Sequence, residues 1–176
     1  MSKYSADRGL KSPYLGLTVR TMSDARDFDF LLGTWTSRQR RRRKWLAGSE
    51  EWDDFEATID ARPILDGLGT VEEFRTDYAG GFVGVTFRFF DPASGEWSIY
   101  WADTRYPARL DPPVVGSFSG GVGVFECDDS FEGRPIRVRY TWSNVATPAP
   151  RWEQAFSDDG GTTWETNWVA DFTRVG

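Results

Sequence analysis

The chain has 176 residues, a formal net charge of −6 and 16% aromatic residues, with nine Trp, thirteen Phe and six Tyr. This length suits a single core, and flat amphipathic rings in such number suit a half-buried pleated surface, so one all-β domain is expected. The acidic balance argues against a phosphate-backbone binder, and no apolar run is long enough to cross a bilayer, so neither nucleic acid nor membrane is expected as a partner.

Histidine is absent from the sequence. This removes Ser-His-Asp and Cys-His catalysis, His-ligated haem and His-containing zinc sites, so no metal and no cofactor is expected. Chemistry would have to come from carboxylates, Tyr, Arg or the lysines Lys3, Lys11 and Lys44. Cys127 is the sole cysteine, so no intrachain disulfide can form. The N-terminus also lacks the basic, apolar, small-residue order of a signal peptide, and a cytoplasmic protein is expected.

Residues 1–26 are polar and without period, broken by Gly9, Pro13 and Gly16, and read as a flexible N-terminal arm. Met22-Ser23-Asp24 resembles a second start, which would put the first 21 residues upstream of the true one. The domain proper is then 27–176. Ser23 or Asp24 can cap a short helix running to about Leu32, ended by Gly33. The first strand, from Thr34 to about Trp45, alternates so that an inward Trp35 brings Gln39 and Arg41 inward with it.

Trp52 to Ala61 alternates Phe55, Ala57 and Ile59 against charged residues and is predicted to end at Arg62-Pro63. A glycine-hinged turn follows over Leu65 to Gly69. Thr70 to about Asp77 forms a third strand carrying Glu72, Glu73 and Arg75. Phe82 to Phe90 puts Val83, Val85, Phe87 and Phe89 on one face and Gly84, Thr86, Arg88 and Phe90 on the other. Asp91 to Gly95 turns it into Trp97 to Trp101. The proline-rich stretch from Thr104 to Pro113 is expected as an ordered loop at a barrel mouth. Strands resume over Val114 to Ser119, Val122 to Cys127, Pro135 to Trp142, Arg151 to Ser157 and Trp164 to Arg174. The result is a closed up-and-down antiparallel barrel of about ten strands, its short N-terminal helix plugging one end.

Three motifs carry resemblances. Gly33-Thr34-Trp35 after a short helix, with Arg174 ending the last strand, resembles the signature of calycin barrels of the lipocalin, fatty-acid-binding and nitrobindin types. That resemblance implies a Trp35 plugging one end and an Arg174 packed across its ring, both structural. Ile64-Leu65-Asp66-Gly67 and Trp164-Glu165-Thr166-Asn167-Trp168 are similar to segments of an uncharacterised bacterial calycin-like family, a domain of unknown function. Ser157 to Trp164 matches the Asp-box hairpin of sialidase propellers, in which Asp159 would cap the turn, Gly161 take positive φ and Trp164 pack beneath. A single copy without a propeller period is read as a stabilised hairpin and not as an enzyme signature.

The basic run Arg38 to Lys44 is divided by alternation between two faces, with Glu50, Glu51, Asp53 and Asp54 within pairing reach, so its outer face reads as salt-bridged. Inward Arg41 remains available to a ligand carboxylate or phosphate. Candidate ligand-binding residues are Gln39, Arg41, Glu73, Arg88, Tyr100, Trp101, Arg139, Gln154, Asn167 and Trp168, with Glu73 and Arg88 the preferred pair. Such buried charges make either a structural ion network or a polar ligand site.

Two functions follow. The first is a binding protein whose internal cavity holds a small, partly aromatic or amphipathic organic ligand, acting alone or as a homodimer. The second is a cofactor-free cyclase, isomerase or hydro-lyase, with Glu73 as catalytic base and Arg88 or Tyr100 as electrophilic support. A haem barrel is a third reading, which without histidine would need Tyr or Cys127 as iron ligand.

Overall fold

The computed structural model describes residues 23–175; the expectations for residues 1–22, Met22 included, lie outside them. Ten antiparallel strands close into one barrel: β1 (Gly33–Arg42), β2 (Trp52–Ile64), β3 (Gly69–Thr76), β4 (Phe82–Asp91), β5 (Glu96–Asp103), β6 (Val114–Ser119), β7 (Val122–Phe131), β8 (Arg134–Ser143), β9 (Arg151–Ser157) and β10 (Glu165–Arg174). Each strand pairs with its sequence neighbours, and β1 pairs with β10 from Trp35 opposite Arg174 to Arg41 opposite Trp168. Closure gives every strand a neighbour on both sides, with the β5–β6 ladder the shortest, from Trp97 opposite Gly116 to Ile99 opposite Val114.

The helix expected before β1 does not form. A single 3-10 turn, Asp29–Leu31, takes its place. Local polar groups compete for the backbone: Asp27 accepts hydrogen bonds from the Ser23 hydroxyl and the Asp24 N–H, and Leu32 is already extended. A segment this short lacks the hydrogen bonds to offset helix nucleation. It still carries Phe28 and Leu31 into the barrel end, both essentially without solvent exposure. The Phe28 ring meets the edges of Trp97 at 4.9 Å and Phe118 at 5.1 Å. Aromatic packing, rather than a helix, seals this end.

Arg174 ties the seal to the closing strand. Its guanidinium lies 4.1 Å from the Trp35 ring centroid and donates to the carbonyls of Leu32 and Phe30. Trp35 donates its indole N–H to the Leu31 carbonyl. Strand β2 runs past its predicted end at Arg62-Pro63 to Ile64. Its last β1 partner is Gly33 opposite Ala61, so Pro63 has a ladder neighbour only on the β3 side, where a missing N–H is tolerated.

On the outer surface the basic run is paired. Arg43 meets Asp53 at 2.7 Å and Arg38 meets Asp54 at 3.3 Å, while Arg40 and Arg42 stack over Trp52. The chain between β9 and β10 forms a capped hairpin. Asp159 accepts from the backbone N–H groups of Thr162 and Thr163 and from the Thr163 hydroxyl, Gly161 has φ of +94°, and Trp164 donates to the Gly161 carbonyl. These bonds hold the Asp159 carboxyl down at about 2.

Candidate functional site

The barrel encloses a cavity of about 440 Å³ that opens at the end opposite the aromatic seal. Its mouth is bordered by the β5–β6 loop, which lends Arg105, Tyr106, Arg109 and Asp111 to the lining. Two backbone bonds order this loop against the barrel, Thr104 N–H to the Val83 carbonyl and Asp111 N–H to the Trp101 carbonyl.

Alternation decides what reaches the interior. On β1 the buried row is Trp35, Ser37 and Gln39, and Arg41 follows at the mouth. Gln39 accepts from the Trp168 indole at 2.7 Å and donates to Ser37, so it orients a wall rather than offering free groups. Trp168 forms part of the lining, as does Gln154, which donates to the Asn167 side chain. Asn167 sits at a register shift in the β9–β10 ladder, fully buried, with its amide nitrogen unpartnered and its side chain outside the cavity lining.

On β4 the polar face points inward. Gly84, Thr86 and Arg88 are buried, while Phe87 and Phe89 stack on the outer surface. Gly84 has a steric reason to be glycine, because a Cβ there would fall inside the Trp101 ring. The absent side chain lets that indole lie against the wall at the cavity rim, its N–H donated to Asp103.

Three of the candidate site residues face the other way. Glu73 is on the outer face and pairs with Arg75 at 2.7 Å. Arg88 pairs instead with Glu72 at 2.6 Å, with the two side chains 3% and 7% exposed. Glu72 shares its parity with buried Phe74, which is why Glu72 and not Glu73 turns inward. Tyr100 lies between the inward Ile99 and Trp101 and packs on Phe89 outside. Arg139 lies between inward Val138 and Tyr140; it bonds Glu126 and covers the Trp164 ring at 3.7 Å. The catalytic arrangement of Glu73, Arg88 and Tyr100 therefore does not assemble, since only Arg88 reaches the cavity.

Electrostatically the cavity has a neutralised floor and a charged mouth. At the floor Arg88 also lies 5.0 Å from the Phe28 ring centroid, and its Nε and Nη1 make no hydrogen bond. On the wall, Tyr140 packs edge-on against Trp152 at 5.0 Å, and burial pushes its hydroxyl well above the usual phenol range, so it is a neutral donor. At the mouth, burial raises the Asp111 carboxyl, and burial with Asp129 and Asp128 nearby raises the Cys127 thiol to about 11. Arg41 is also at the mouth, its guanidinium 4.5 Å from the Trp45 ring centroid and 4.9 Å from that of Trp168. Residues that sequence reasoning passed over are Glu72 and Tyr140, both marked by sharing strand parity with apolar neighbours. Among the described residues no group of three or more acidic or thiol side chains is arranged to hold a metal ion, and no helix is long and apolar enough to cross a membrane.

No family model matches the chain, and no curated protein matches it. Among solved structures it is similar to Rv2717c from M. tuberculosis, with 14% sequence identity and a TM-score of 0.56 over 88% of this chain and 99% of that one. At that identity the likeness is one of fold. A protein of unknown function from the DUF3598 family of Nostoc punctiforme aligns over 88% of this chain and 100% of its own, with 7% identity and a TM-score of 0.26, too loose a superposition to bear on the site.

Proposed function

We propose that the chain is a calycin-like binding protein that takes a small, partly aromatic or amphipathic organic molecule into the barrel. The observation that carries this reading is the cavity of about 440 Å³, walled by indole and phenyl rings and reached through one ordered mouth. Pockets of that size, mostly apolar with a few placed polar groups, are the usual form of small-molecule sites. The polar groups here retain hydrogen-bonding capacity: Arg88 has two buried donor nitrogens without partners, and the Tyr140 hydroxyl is kept neutral by burial. A cytoplasmic setting belongs to the same reading, since a lone cysteine allows no intrachain disulfide.

The test is titration of the full chain with the neutral dye N-phenyl-1-naphthylamine, whose emission rises in apolar surroundings. Saturable one-to-one binding is expected in the wild type. It is expected to be lost in Ala170→Trp, which fills the cavity from the buried inner face of β10. Absence of saturable binding, or binding unchanged in Ala170→Trp, would overturn the proposal.

A further inference from the structure

Four arginines line the cavity, and three have a carboxylate. Arg88 has Glu72 at 2.6 Å, Arg105 has Asp103 at 2.6 Å, and Arg109 has Asp111 at 3.0 Å. Arg41 makes no ion pair among the described residues. Asp53, its register partner on β2, is already engaged by Arg43 at 2.7 Å and by the Tyr78 hydroxyl at 2.8 Å. Rings rather than an anion hold Arg41, and its Nε is buried without a hydrogen-bond partner. A guanidinium remains protonated at any ordinary pH, so the site keeps a full positive charge at the rim of a cavity walled in part by aromatic rings.

Position adds direction. Arg41 also borders a second recess of about 520 Å³ in which Arg42, Arg43 and Lys44 face Asp53 and Glu132, so cations outnumber carboxylates on this side. Of the carboxylates at the mouth, Asp103 is held by Arg105 and Asp111 by Arg109, so neither neutralises Arg41 through an ion pair. The floor offers no second anion position, because Arg88 is neutralised there by Glu72. An anionic group driven to the floor would meet that carboxylate in a low-dielectric interior, whereas at the mouth it meets an unpaired cation.

Resting on the binding role proposed above, the geometry points to a ligand that is an aromatic organic oxyanion, seated with its apolar body in the barrel and its carboxylate, sulfonate or phosphate on Arg41 between Trp45 and Trp168. The Trp45 and Trp168 ring centroids lie 4.5 and 4.9 Å from the Arg41 guanidinium, its Nε is buried without a hydrogen-bond partner, and a planar fork suits an oxyanion. Arg41 is thus the residue that distinguishes acids from their neutral counterparts.

Two dyes that differ only by a sulfonate test this directly: 1-anilinonaphthalene-8-sulfonate and N-phenyl-1-naphthylamine, titrated into wild type, Arg41→Gln, Arg41→Lys and the outer-face control Arg38→Gln. In Arg41→Gln the affinity ratio of the sulfonate dye to the neutral dye is expected to fall by about tenfold or more, the scale of a hydrogen bond to a charged group. Neutral-dye affinity is expected to stay near wild type, which also reports an intact cavity. Arg41→Lys should retain part of the ratio and Arg38→Gln all of it. Equal loss of both dyes in Arg41→Gln, or a ratio that does not move, would overturn the oxyanion assignment while leaving the binding role standing. If wild type binds neither dye, both readings fail together.

Discussion

Replacing Glu72 by leucine would leave the Arg88 guanidinium charged, almost fully buried and without a counter-ion among the described residues, since its carboxylate partner there is Glu72 at 2.6 Å, with the pair 3% and 7% exposed. Breaking a buried pair from one side costs about 3–5 kcal/mol. The cation–π contacts with Phe28 at 5.0 Å and Trp142 at 5.8 Å remain, but they do not replace a full negative charge. The expected loss in Glu72→Leu is therefore about 3–5 kcal/mol, read from the urea midpoint at constant m-value. The double variant Glu72→Leu/Arg88→Met removes both charges together with two donor nitrogens that are unpartnered in the wild type. Its stability should return to within about 1 kcal/mol of wild type or exceed it, giving a large coupling energy in the cycle. A Glu72→Leu cost below about 1 kcal/mol would refute the reasoning, because it would mean that water reaches Arg88 and the floor is wet. Additive losses in the double variant would refute it in another way, by showing that the two side chains stabilise the barrel through independent packing.

Other consequences are open to simpler measurements. Arg174→Gln removes the cation over Trp35 and two hydrogen bonds to the Phe30 and Leu32 carbonyls, and should cost about 1–2 kcal/mol in chemical unfolding. Asp159 has its carboxyl depressed from 3.8 to about 2, so its contribution to stability is complete above the unfolded value and is lost as pH falls through the folded one; Asp159→Asn should flatten the acid limb of the melting curve between those values. Cys127, pushed up to about 11 by burial and neighbouring carboxylates, should react with iodoacetamide only slowly at neutral pH, with a rate midpoint near that value; a midpoint below about 9 would refute the assignment. Gly84→Val would drive the Trp101 indole from the wall and should reduce binding of the neutral dye while the far-ultraviolet spectrum of the sheet persists.

The barrel was legible because its signals are local and repeat. Turns rich in Gly, Pro and Asp separate runs with period two, and these specify strand number and antiparallel order without help from distant contacts. The interior was legible only where an apolar residue anchored the parity. Trp35 did so for Gln39 and Arg41, both of which the structure brings to the cavity wall. On β3 two glutamates are adjacent, and composition alone does not choose between them. Phe74 does choose, because it shares parity with Glu72, but one phenylalanine among Thr, Glu and Arg is a faint marker. The pairs Tyr100 with Trp101 and Arg139 with Tyr140 pose the same problem, since strand neighbours point to opposite faces and here only Trp101 and Tyr140 line the cavity. At Asn167 the ladder slips, and counting by two fails there for any sequence-based argument.

Strand β4 shows why the hydrophobic pattern misleads in this molecule. Its aliphatic and phenyl face, Val83 to Phe89, lies outside, and its Gly-Thr-Arg face lies inside. A barrel with a packed core would reverse that choice, because burying Arg88 and leaving phenylalanines on the surface is unfavourable for stability alone. The arrangement persists because the interior here is a cavity wall, where small and polar residues leave room and the Phe28 and Trp142 rings support the arginine from below. Stability is then recovered at the sealed end, in the ring cluster around Phe28, Trp97 and Phe125. The division is longitudinal: apolar packing closes one end of the barrel, and the other end keeps charge, including the one cavity arginine without a carboxylate among the described residues.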